Sequence, residues 1–120
     1  MGGFFLDSLV TGIIRTVRRE SRRSQALRWS IADGRFTGFT TSYGSPTLPL
    51  VDYEYQVNGQ PYDGSATGLP VKDDRINQVG DAIDSFATLR VRYDPTNPEK
   101  SRILNEDNPS IPFEIDHLEH

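Results

Sequence analysis

Val51 to Gly59, VDYEYQVNG, constrains this chain more than any other stretch of it. Odd positions are apolar or aromatic and even ones polar, the two-residue period of a strand with one buried face. Asn58-Gly59 is the dipeptide best suited to the two left-handed residues of a type I′ turn, so Gln60 to Leu69 must return alongside. A two-residue turn then sets the register: Val57 faces Gln60, Tyr55 faces Tyr62, Tyr53 faces Gly64 and Val51 faces Ala66. Pro61 falls opposite Gln56, where its missing donor points away from the hairpin, which predicts an unpaired outer edge there.

Other strands are predicted around this hairpin. Trp29 to Phe39 reads as a strand, although Trp29 and Ile31 share one parity while Ala32, Gly34, Phe36 and Gly38 share the other; a bulge near Ile31 to Gly34 would reconcile them. Thr40 to Pro49 reads as a loop with a mobile tip. In Asp73 to Phe86, Ile76, Val79, Ile83 and Phe86 keep helical spacing, so a short helix is expected despite Gly80. Thr88 to Tyr93 alternates again, with Leu89, Val91 and Tyr93 inward and Arg90 and Arg92 outward. Asp94-Pro95-Thr96-Asn97-Pro98 forms a corner, with Asp94 accepting a backbone hydrogen bond two residues on, and Arg102 to Leu104 supplies a short returning partner.

The amino terminus has a different period. Phe5, Leu6, Leu9, Val10, Ile13, Ile14 and Val17 gather on one face of a helix running from about Phe4 to Leu27, with Asp7, Thr11, Arg15, Arg18 and Arg22 opposite. Six of the chain's basic residues lie before Trp29 against two acids, whereas the remainder holds seven basic residues against fifteen acids. A basic arm on an acidic body either meets an anionic partner or docks onto its own domain. Asp7 and Arg15 interrupt the apolar run short of the ~18 residues that a spanning helix needs. The arginines follow the apolar segment, the reverse of a secretory signal, and Leu6 stands where a myristoylation motif needs Ser or Thr. The stripe therefore packs on the sheet, lies in a membrane interface or self-associates. Candidate membrane or partner contacts are Phe5, Leu9, Ile13, Arg15, Arg18, Arg19, Arg22 and Arg23.

Catalytic chemistry is poorly supplied. The chain has no cysteine and only two histidines, of which His120 closes a Leu118-Glu119-His120 ending that resembles a tag remnant. Asp73/Asp74 and Asp81/Asp84 fit helix capping and solubility better than acid–base work. Neither a calcium loop nor a phosphate-cradling glycine loop is present. The expectation is a non-enzymatic interaction or scaffolding domain without catalytic residues, metal or cofactor, membrane-associated or cytoplasmic; a small-ligand-binding or enzymatic domain with a loop-borne site is the alternative. Its partner would be an unknown protein or an anionic membrane surface. Nucleic acid is disfavoured, because the body is acidic and its tyrosines take the buried parity.

Four pieces in order resemble a known family: Trp29-x-x-x-x-Gly34-x-Phe36, Tyr53 to Gly59, Tyr62-x-Gly64, and Leu89 to Pro98. Together they resemble the bacterial family catalogued as domain of unknown function 3592, over about Arg28 to Leu104. The resemblance implies a small, mostly β domain, commonly beside transmembrane helices, with no activity or catalytic residues to carry over. This chain departs from that pattern in lacking a transmembrane segment. The expected architecture is mainly β, a small antiparallel sandwich or partly open barrel, with an N-terminal amphipathic helix and a short helix near 73–86; α+β is the alternative label. Its parts are a helix at 1–28, a β domain at 29–104, a loosely ordered tail at 105–117 and a tag remnant at 118–120.

Overall fold

A computed structural model describes residues 19–42 and 47–117. Five strands, β1 (Ser30–Thr41), β2 (Pro49–Val57), β3 (Gln60–Thr67), β4 (Leu89–Asp94) and β5 (Asn97–Arg102), form one antiparallel sheet in the order β3-β2-β1-β4-β5. Its edges β3 and β5 curl round until they touch, without a hydrogen-bonded ladder between them among the described residues, so the sheet is a nearly closed barrel. Residues 19–26 are helical (α1), and a 3-10 turn at Asp73–Arg75 leads into α2 (Ile76–Asp84).

The β2–β3 hairpin has the register that its turn dictates, with Tyr55 opposite Tyr62 and Tyr53 opposite Gly64. Asn58 and Gly59 take φ of 53° and 81°, the left-handed geometry of the expected turn. Tyr55 and Tyr62 stack at 5.6 Å between ring centres, and β3 is indeed an edge strand. Short α2 buries Val79 and Ile83 against β1, where Gly80 lets the helix backbone approach the Phe39 ring.

The bulge in β1 lies further on than expected. Ser30 to Gly34 pair with β4 without a shift, and the irregularity falls at Thr37, between the Phe36–Tyr53 and Gly38–Asp52 pairs. Trp29 belongs to the turn leaving α1, and Ile31 is 46 % exposed, so neither competes for the inner face. The extra residue moves the inward parity from Ala32, Gly34 and Phe36 to Phe39 and Thr41.

The second correction concerns β5. Its chain returns directly after the Asp94–Asn97 turn rather than at Arg102, and Ile103 and Leu104 follow the strand as buried residues. Tyr93 faces Ser101 and Asp94 faces Asn97, so Pro98, Glu99 and Lys100 bulge out of the ladder. A proline is tolerated there because the bulge asks for no backbone donor. Asp94 Oδ1 accepts hydrogen bonds from Thr96 N at 2.9 Å and Thr96 Oγ1 at 2.7 Å, which holds its carboxyl below the usual range.

The third correction is the segment 105–117, which is packed rather than loose. Ile111, Phe113 and Ile115 enter the core, and Ile115 bridges Gly68 at the end of β3. Two asparagines organise it by imitating backbone. Asn105 donates Nδ2–H to Phe113 O and accepts from Ile115 N, both at 2.9 Å. Buried Asn108 accepts from Arg90 N at 2.8 Å and donates to Arg90 O at 2.9 Å and Leu104 O at 3.1 Å, extending the β4 ladder where β5 has ended.

Arg92 also differs from its expected outward role. It makes a two-pronged bond to Asp107 at 2.8 and 2.9 Å and donates to Leu27 O and Trp29 O, tying β4 to the α1–β1 junction. The loop tip at 43–46 lies outside the described residues.

Candidate functional site at the barrel seam

The seam between β3 and β5 is closed from inside by tyrosines of β2. Both alternate positions Tyr53 and Tyr55 are 1 % exposed, because the strand period turns them into the barrel. The Tyr53 hydroxyl meets Ser101 Oγ at 2.8 Å, and the Tyr55 hydroxyl donates to Pro98 O. Burial pushes the Tyr53 phenol up to about 12 and raises that of Tyr55, so both serve as neutral hydrogen-bonding groups at neutral pH. Gly64 leaves space for the Tyr53 ring, which an added Cβ would strike.

Beside Tyr53 the seam opens into a cavity of about 370 Å³, bordered by Trp29, Arg102, Ile103, Ile115 and His117. In two of the side chains that border it, one nitrogen, Arg102 Nε or His117 Nδ1, is enclosed without a hydrogen-bond partner. Burial, followed by the charge of Arg22, lowers the Arg102 pKa from its ordinary value. His117 is also lowered, first by burial and then by the neighbouring Arg102 charge, so its imidazole is neutral at pH 7.

Of the residues expected to contact a membrane or partner, Phe5, Leu9, Ile13, Arg15 and Arg18 lie outside the described residues. The other three turn toward the body. Arg19 pairs with Asp116 at 3.1 Å, Arg22 donates to His117 O at 3.2 Å, and Arg23 is held by Glu20 and Glu106. Ala26, one turn further, is fully buried. Arg102 and His117 were not among the expected site residues. Arg102 sits at the end of an edge strand and carried no such signal, whereas His117 continues the alternation of Ile111, Phe113 and Ile115, a two-residue period that pointed it inward.

Fold and site together define a small antiparallel barrel domain, its seam bridged by tyrosines and flanked by a basic helix. The chain belongs to the family described as a domain of unknown function (DUF3592), whose model matches residues 10–108. Neither the curated proteins nor the solved structures hold a match to the chain. Among the described residues, no helix is long and apolar enough to cross a membrane.

Proposed function

We propose that this chain is a non-enzymatic interaction domain that rests on an anionic membrane surface through its N-terminal helix. The supporting observation is the face by which that helix meets its body. Arg19, Arg22, Arg23 and Ala26 make the contacts, and at 100° per residue they lie on one side of α1. Continued at the same pitch over the helix expected from sequence, the stripe from Phe5 to Val17 centres roughly 145° from that side. On that expectation the arginine side is taken up by the barrel and the apolar stripe is left for another surface. A stripe of Phe, Leu, Ile and Val on an arginine-rich helix has the composition of an interfacial helix near anionic lipid. A non-enzymatic role agrees with the absence of cysteine from the sequence.

Flotation with phosphatidylglycerol-containing and pure phosphatidylcholine vesicles tests this reading. The full chain should float with the anionic vesicles, and the Leu9→Glu/Ile13→Glu double variant should stay in the lipid-free fraction. Equal behaviour of the two chains refutes it. Concentration-dependent dimerisation, abolished by the same substitutions, would instead assign the stripe to a second copy.

A further inference from the structure

We infer that the cavity at the β3–β5 seam is a binding site for a small organic carboxylate, with Arg102 as the anion anchor. The inner nitrogen of the Arg102 guanidinium is enclosed without a partner, so the charge is partly dehydrated, and an anion on its outer nitrogens would stabilise it. Arg102 makes no ion pair among the described residues, whereas Arg19, Arg23, Arg35 and Arg92 all do. His117 borders the same cavity, with Nδ1 equally unpartnered in a residue only 8 % exposed.

The ligand class follows from the rest of the wall. Trp29, Ile103 and Ile115 give it an apolar side, so the acid needs a hydrocarbon portion. Glu99, Lys100 and Asp116 also border the cavity, with Asp116 already engaged by Arg19. Lys100 and Arg102 offset the two carboxylates, so the lining carries no excess positive charge for a phosphate dianion, and a single carboxylate suits planar, two-pronged pairing with the guanidinium. At about 370 Å³ the cavity lies near the small end of ligand sites, which run from about 300 to 1,000 Å³. Strands β2, β3 and β5 wall it on one side, and the end of α1 with residues 115–117 closes the other.

Trp29 is the sole tryptophan of the chain and borders the cavity, so its fluorescence reports occupancy without a label. In lipid-free buffer at constant ionic strength, the full chain is titrated with hexanoate, 1-hexanol and inorganic phosphate. Hexanoate should give a saturable change; hexanol and phosphate should give none. Arg102→Met should weaken hexanoate at least tenfold with an unchanged far-ultraviolet spectrum, as expected for removal of charge-assisted hydrogen bonds. The inference is overturned by a flat response to hexanoate, an equal response to hexanol, preference for phosphate, or undiminished binding by the Arg102→Met chain. Comparing acid with alcohol needs no variant, so it decides the matter even if Arg102→Met does not fold. Working without lipid keeps the result independent of the helix and its membrane role.

Discussion

Replacing Asn108 with alanine should remove more stability than any other single polar truncation in the segment 105–117. The amide makes three hydrogen bonds, with Arg90 N, Arg90 O and Leu104 O, and the residue is 4 % exposed. Each such bond contributes on the order of 1 kcal/mol net, and its loss leaves a buried backbone group unsatisfied, so Asn108→Ala should cost about 3 kcal/mol. Against a total of roughly 5–15 kcal/mol for a domain of this kind, that is a large share. Urea unfolding followed by circular dichroism measures it: with a slope of about 1.5 kcal/mol/M, the midpoint should fall by about 2 M at unchanged slope. Asn108→Asp sharpens the test, because it keeps the acceptor for Arg90 N but sets carboxylate oxygen against two carbonyls. It should be no more stable than the alanine variant at pH 7. A loss under about 1 kcal/mol for Asn108→Ala, or an aspartate variant more stable than the alanine one, would refute the idea that this side chain continues the β4 ladder.

Three further outcomes are expected. Gly64→Ala puts a methyl group into the Tyr53 ring and should cost about 1–3 kcal/mol by urea unfolding, with no loss refuting the close packing of that ring. Arg92→Lys keeps the charge but loses the planar fork to Asp107 and at least one carbonyl bond, so a loss of about 1–2 kcal/mol is expected, and an unchanged midpoint would show the fork to be idle. His117 is held below 6.5 when folded, so below that pH the unfolded chain binds the proton more readily. Its contribution should therefore leave stability highest above pH 6.5 and lower it as pH falls through 6.5 toward the depressed folded value. His117→Gln should flatten the fall between pH 7 and pH 5.5; Asp94 and Glu20, both lowered from ordinary carboxylate values, titrate beneath that window.

Local periodicity and turn chemistry were legible in the sequence wherever a short stretch decides its own geometry. Asn58-Gly59 can turn in one favoured way, and that alone carried the register from Val57–Gln60 to Val51–Ala66, the stacking of Tyr55 on Tyr62 and the outward edge at Pro61. Ile76, Val79 and Ile83 marked α2 by the same logic, and Asp94 marked its own turn. Burial was legible less far: Tyr53 and Tyr55 were placed inside by parity, but not their partners, Ser101 and Pro98 O on the opposite edge.

Tertiary structure alone decided the rest, because those features depend on groups far apart in the chain. The bulge at Thr37 is set by which residues of β1 meet both β2 and β4, information that no eleven-residue window contains. The order of 105–117 rests on Asn105 and Asn108, whose side chains bond to backbone groups of Phe113, Ile115 and distant Arg90. Helix α1 shows the division most plainly. The amphipathic pattern expected from Phe5 to Val17 lies outside the described residues, and only the positions of Asp116, His117 and Glu106 put the arginines of α1 against the barrel. The unpartnered Arg102 and His117 likewise became a site only when a curled sheet brought its two edges together over them, since a cavity is a property of distance in space rather than along the chain.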